Sequence, residues 1–273
     1  MKFKELLRPY FSWLMAKESM ELYSNYNSAI ADSDTYEDPD VVRTVSDKTV
    51  RLKDALIKSD VGTIDNRQLA QNLFVISYVC TNKPLHVLEL GGACGATYFE
   101  VNRLLPLKID KWYILETPSM AAEGKRAFQS GNIKFFDNLE QAVEELEHRD
   151  LLIAQGALQY TPDPLQTLNS LIKLQFDKVY LTRTVVGEKI SRPLITKQVA
   201  NLSDHGPGLV PEGFKNRKTS QPLTIVPLDV LKSSFADEYC IKFYFNESNV
   251  NLIRIASKIV ETKMVGLLLE RRT

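Results

Sequence analysis

The sequence predicts an α/β protein, a doubly wound, mostly parallel seven-stranded sheet preceded by an N-terminal helical extension. From Pro84 onward, short runs rich in β-branched and aromatic residues alternate with helical stretches. The first run passes straight into a glycine-rich turn, Gly91-Gly92-Ala93-Cys94-Gly95. The residues before Pro84 carry helical rather than strand periodicity.

Taken in order, Phe3, Leu6, Leu7, Tyr10, Phe11 and Leu14 fall on one helical face. The polar stretch Asn25 to Pro39 reads as a loop, and Val41 to Ile57 resumes the helical pattern. Asp65 is placed to cap a further helix, Asn66 to Cys80. Five strands are then expected at His86 to Leu90, Trp112 to Glu116, Ile133 to Phe136, Leu151 to Ala154 and Lys178 to Leu181. Their spacing implies right-handed crossovers and a Rossmann-like sheet. Cys240 to Phe245 and Val265 to Leu269 are candidates for antiparallel strands that close it. The stretch from Val185 to Pro227 is long and punctuated by Pro and Gly, as in a lid or substrate loop. The expected organisation is a helical cap or oligomerisation region over 1–83 and a Rossmann-like domain over 84–273, with 185–227 as its lid.

Lys+Arg and Asp+Glu balance at 34 each, which argues against a partner held by phosphate contacts. No apolar run approaches the ~20 residues of a membrane span. Met1-Lys2-Phe3-Lys4-Glu5 lacks a signal-peptide core. The expectation is a cytoplasmic protein with no nucleic-acid or membrane partner. Cys80, Cys94 and Cys240 are far apart and odd in number, so neither a disulfide framework nor a metal site is expected. His86 lies inside the first strand as a packing residue, and His148 lies among charged residues on a solvated helix. The aromatic residues Tyr10, Phe11, Trp13, Tyr23 and Tyr26 suit a core, a homodimer contact or a cap over a pocket.

The glycine turn sits where a ligand binds in such sheets, between the first strand and the next helix N-terminus. A dinucleotide fingerprint aligned on Gly92 and Gly95 puts Leu90 where its first glycine belongs. An acid, one residue and then Gly-x-x-x-Gly is the pattern for S-adenosylmethionine (SAM), and Glu89, Gly91 and Gly95 fit it. Glu89 is placed to orient the loop, with Gly92 and Ala93, and the cationic methionyl end of the cofactor. Glu116 ends the next strand 21 positions after Gly95, near the ~20-residue offset of a ribose-binding acid. Its other reading is a neighbour of a helix cap. Asp137 has two readings, an acceptor for the adenine amino group or a helix cap. Gln155 and Tyr160 flank a small-residue turn after the fourth strand, beside the crevice.

Glu89-Leu90-Gly91-Gly92-Ala93-Cys94-Gly95, Leu115-Glu116 and Ala157-Leu158-Gln159-Tyr160 together resemble class I SAM-dependent methyltransferases. More narrowly, Thr97-Tyr98-Phe99, Leu158-Gln159-Tyr160 and Thr182-Arg183-Thr184 resemble a bacterial family of methyltransferases from glycan and small-metabolite gene clusters. The resemblance covers about residues 84 to 270. Thr182 stands where that family has an acid, and Ala200 and Asn201 stand where it has prolines. It implies SAM as cofactor and transfer of its methyl to a small-molecule acceptor, by O-methylation of a sugar, a glycan precursor or another metabolite. His205, in the glycine-flanked run Ser203-Asp204-His205-Gly206-Pro207-Gly208, is the candidate base. Arg183 is a candidate to hold an anionic acceptor, or else a structural ion pair. Lys215, Arg217 and Lys218 make a basic patch of the kind usually solvated. Two other readings follow from the same residues: a non-catalytic SAM- or S-adenosylhomocysteine-binding module acting through a protein partner, and a nicotinamide oxidoreductase, which Leu90 disfavours.

Overall fold

A computed structural model describes residues 18–58, 67–256 and 258–272. The expected helical face from Phe3 to Leu14 and the expected cap at Asp65 lie outside these residues. The described chain opens on strands β1 (Glu18–Met20) and β2 (Leu22–Tyr23), where the periodicity predicts helix. Both are made by long-range pairing, β1 with Ile253–Ile255 and β2 with Ile195 and Thr196, and pairing overrides weak local preference. Asn25 to Pro39 is not all loop. Helix α1 (Tyr26–Ile30) forms there because the Asn25 side chain accepts from the Ser28 amide at 2.9 Å.

Helix α2 (Pro39–Lys58) starts where Asp38 Oδ1 accepts from the Asp40 and Val41 amides, with Pro39 at its first position. Helix α3 (Arg67–Val79) follows. The expected alternation then appears as β3 (Leu85–Leu90), α4 (Ala96–Leu104), β4 (Ile109–Leu115), α5 (Pro118–Ala127), β5 (Ile133–Phe136) and α6 (Leu139–Glu145). It continues through β6 (Leu151–Gln155), α7 (Pro164–Ile172) and β7 (Lys178–Gly187). Strands β8 (Leu194–Asn201) and β9 (Lys218–Pro227), helix α8 (Leu228–Ser233), and strands β10 (Tyr239–Asn246), β11 (Asn251–Ile255) and β12 (Lys258–Arg271) complete the chain. None of the described helices is long and apolar enough to cross a membrane.

The sheet runs β5-β4-β3-β6-β7-β12 and is parallel from β5 to β7. Strand β12 runs against β7, and β10 lies on the far side of β12, antiparallel to it. Of the two closing strands, only β12 therefore opposes the parallel set. Alternate strand residues enter opposite cores: Leu88, Leu152 and Ala154 face the layer of α6, α7 and α8, while Val87, Leu151 and Ile153 face that of α2, α3, α4 and α5. Burial on both faces explains the continuous apolar strand sequences.

The 185–227 stretch is largely strand rather than loop. Strands β8 and β9 pair from Leu194 with Ile225 to Asn201 with Lys218. Pro222 is tolerated because β9 meets β7 only at Val226 and Pro227, which leaves its outer side open at that position. The chain reverses direction across the sheet between β3 and β6, which opens a crevice at their carboxyl ends.

Candidate active site

A cavity of about 990 Å³ occupies that crevice and is lined by ten of the predicted residues: Glu89, Gly91, Gly92, Ala93, Glu116, Asp137, Gln155, Tyr160, Arg183 and His205. Gly95 lies just outside it and caps α4 with φ +83°. A Cβ on Gly95 would stand 2.6 Å from Ile133 Cδ1, and one on Gly91, at φ +70°, would stand 2.3 Å from Ala157 Cβ. The first and last glycines of the turn are thus required by backbone angle and by space.

Two acids shape the turn. Glu89 is buried beneath Gly92, and its Oε2 accepts from Trp112 Nε1 at 2.8 Å. Burial pushes its carboxyl up to about 7. Glu116 accepts from the Ala93 amide at 2.7 Å through Oε1 and from the Thr117 amide at 2.9 Å through Oε2. Burial raises its pKa as well, against the lowering effect of both amides. Each Glu116 oxygen keeps a second lone pair, as a vicinal diol requires. Asp137 is not a cap: the cap of α6 is Asn138, whose side chain accepts from the Gln141 amide at 2.9 Å.

The far end of the cavity is assembled from distant segments. Lys48 on α2 is buried and donates to the carbonyls of Ser203 and His205, both at 2.9 Å, and of Gly206. It pins the run that carries His205. Burial lowers the pKa of Lys48 and of His205. His205 Nε2 lies 2.8 Å from Thr219 Oγ1, whose own hydroxyl reaches toward the Ala200 carbonyl at 3.5 Å. With that hydroxyl donating to Ala200, Nε2–H donates to Thr219 and Nδ1 carries the lone pair. The Tyr36 ring stands edge-on to both His205, at 5.6 Å, and Tyr160, at 5.3 Å. Tyr160 donates to Gln198 Oε1, and its carbonyl accepts from the Tyr26 hydroxyl at 2.7 Å. Burial pushes the Tyr36 phenol well above its ordinary range.

A polar chain backs this wall. Gln155 Oε1 accepts from Asn72 Nδ2 at 3.0 Å, Asn72 Oδ1 from Gln68 Nε2 at 3.0 Å, and Thr182 Oγ1 from Gln68 Nε2 at 3.1 Å. Thr182 donates in turn to Glu247 Oε1. Arg217 is not simply solvated, since it pairs with Asp38 at 2.7 Å, Asp40 at 3.3 Å and Asp34 at 3.6 Å. Sequence reasoning missed Tyr36, Lys48, Gln68, Asn72 and Glu247. No local motif marks them, because distant pairing brings Tyr36, Gln68 and Asn72 to the cavity and Lys48 and Glu247 to the residues behind it.

Among the described residues, His86, Glu147 and His148 stand close enough to hold a metal ion. Both His86 nitrogens are already engaged, Nδ1 by the His148 amide at 3.2 Å and Nε2 by Asp110 at 2.9 Å.

No protein-family model and no curated protein matches the chain. Among solved structures, it is similar to a SAM-dependent methyltransferase from Clostridium acetobutylicum, with 13% identity, 81% of this chain and 96% of that chain covered, and a TM-score of 0.46. It is also similar to a SAM-bound amino pentose methyltransferase from Micromonospora echinaspora, with 11% identity, 76% and 92% covered, and a TM-score of 0.45. A third is the magnesium protoporphyrin IX methyltransferase of Synechocystis with bound SAM, with 11% identity, 83% and 95% covered, and a TM-score of 0.41.

Proposed function

We propose that this chain is a SAM-dependent methyltransferase that acts on the hydroxyl of a small-molecule acceptor. The observation that carries the reading is the single cavity that joins the acid-flanked glycine turn to His205. Its volume of about 990 Å³ falls at the upper end of the roughly 300–1,000 Å³ typical of small-ligand sites. That is room for a nucleoside cofactor together with an acceptor.

The residues present fit SAM. Glu116 has lone pairs left for ribose hydroxyls, Asp137 is free of capping, and Glu89 places a buried acid under the turn. When bound, SAM supplies an activated methyl group and a neutral leaving group. The chain's own task is then alignment of the acceptor and removal of its proton. His205 takes that proton on Nδ1, held neutral by burial and oriented by Thr219. Tyr36 and Tyr160 give the acceptor a ring face and exclude water from it.

Isothermal titration with SAM and with S-adenosylhomocysteine tests the cofactor. Saturable binding of both is expected, and no heat at millimolar ligand defeats the proposal. A methylated product from any acceptor, found by mass spectrometry, rules out a purely non-catalytic binding module.

A further inference from the structure

Arg183 is the one described residue of β7 with a left-handed backbone, φ +53°. Such a conformation is uncommon for a residue with a long side chain and persists only where the surroundings enforce it. Here the enforcement is visible. Strands β7 and β12 lose register between Leu181 and Thr184, and Glu247 fastens the bulge by accepting from the Arg183 amide and the Thr182 hydroxyl. Gln159 Nε2 donates to the Arg183 carbonyl at 3.1 Å.

The bulge turns the side chain into the cavity. The guanidinium lies across Gly156, where an added Cβ would be 3.5 Å from Nε and 3.6 Å from Cζ. Its charge acts on the buried hydroxyls of Tyr36 and Tyr160. Among the described residues no carboxylate forms an ion pair with the guanidinium, although Glu247 lies close enough to feel its charge. Glu247 is committed to the bulge through both carboxylate oxygens. A second observation points the same way. Gln221 is 2% exposed, lines the same cavity, and its Nε2 donor has no partner. A cation outside any ion pair and an orphaned donor lining one cavity call for a ligand rich in acceptor oxygens.

We propose that the acceptor carries an anionic group, a carboxylate or a phosphate, which Arg183 binds while the reacting hydroxyl sits toward His205. The proposal rests on the methyltransferase reading and deepens it. It makes Arg183 a specificity-determining residue. The tyrosine rings between Arg183 and His205 suit a cyclic hydroxy acid or sugar acid, or the corresponding phosphate.

The test is a titration of the S-adenosylhomocysteine complex of the full chain with three probes of one shape: 3-hydroxybenzoate, 3-hydroxyphenyl phosphate and neutral 3-hydroxybenzyl alcohol. The expected result is binding of at least one anionic probe about tenfold or more tighter than the neutral one, as a charge-assisted hydrogen bond provides. Which anion is preferred separates carboxylate from phosphate acceptors. In Arg183→Gln the preference disappears, and Arg183→Lys restores part of it as a point charge without the paired geometry. Equal binding of charged and neutral probes, no binding of either anion, or a preference that survives in Arg183→Gln overturns the proposal. Binding of S-adenosylhomocysteine by the wild-type chain is read separately. Its loss defeats the cofactor reading, whereas its presence beside indifferent probes defeats only the anionic acceptor.

Discussion

Glu116 Oε1 accepts from the Ala93 amide at 2.7 Å, so the carboxyl end of β4 holds the glycine turn that follows β3. Ala93 itself sits at φ +51°, and the bond holds it there. A hydrogen bond to a charged group contributes about 1.5–3 kcal/mol. Glu116→Ala is therefore expected to weaken S-adenosylhomocysteine by about one to two orders of magnitude. Glu116→Gln keeps one acceptor and falls between the two. Calorimetric titration of the three proteins measures the order, and equal affinities would remove Glu116 from the site.

Gly91 meets two constraints at once, its positive φ and the 2.3 Å approach to Ala157. Gly91→Ala should lower stability by about 1–3 kcal/mol and abolish cofactor binding. Adding Ala157→Gly relieves the contact but not the backbone angle, so it restores only part of the loss. Urea unfolding of the single and double variants separates the two effects.

Glu89 stores a pH dependence. Burial raises its carboxyl from 4.5 to about 7. The folded chain therefore holds this proton more tightly than the unfolded chain does. The associated stability is complete below about 4.5 and is lost as pH rises through about 7. The loss is on the order of 3 kcal/mol. Glu89→Gln, which still accepts from Trp112, should flatten this dependence, be the more stable protein at alkaline pH and bind SAM less well. Unfolding curves of the ligand-free proteins across this pH range check it, and parallel curves would refute it.

As the proposed base, His205 would act when neutral, and burial lowers its pKa below the ordinary 6.5. Methyl transfer should then rise with pH along a limb below that value and stay level above it. His205→Gln should lose about 10²–10⁴ in kcat, the usual range for a general base, and should lose the limb as well. A variant that keeps the limb points to another base.

Lys48 reaches the same run from behind. Lys48→Met leaves three carbonyls of the 203–206 run without a donor and should cost about 2–3 kcal/mol. Hydrogen exchange should speed up at the amides of 203–208 and not at those of the glycine turn. Uniform acceleration would instead mean a global loss of stability.

The proposed cofactor end is legible in the sequence because its parts are close together in the chain. Glu89, Gly91, Gly95 and Glu116 fall within one strand–helix–strand unit, and each strand there is buried on both faces and reads as such. Of the proposed acceptor end, the sequence marks only Tyr160, Arg183 and His205, all of which line the cavity. Glu247 meets Thr182 because β10 and β7 flank β12, and no spacing rule connects residues 65 positions apart. It also places a carboxylate beside Thr182, the position at which the resemblance predicts an acid. The Pro and Gly residues of 185–227 signal loop in the sequence, whereas an open strand side admits Pro222 within β9.

The wall around the proposed acceptor end closes only when segments far apart in the chain meet: Tyr26 with Tyr160 across 134 positions, and Asp34 with Ser220 across 186. The half built around the glycine turn needs no closure of that length. Long closures make contacts slow to form, so the strand–helix–strand half that carries the glycine turn is expected to assemble before the half that carries Tyr160 and His205. The same division gives the protein two separately adjustable parts. Changes in the late-closing segments can retune which molecule is accepted while the early-forming half keeps its chemistry.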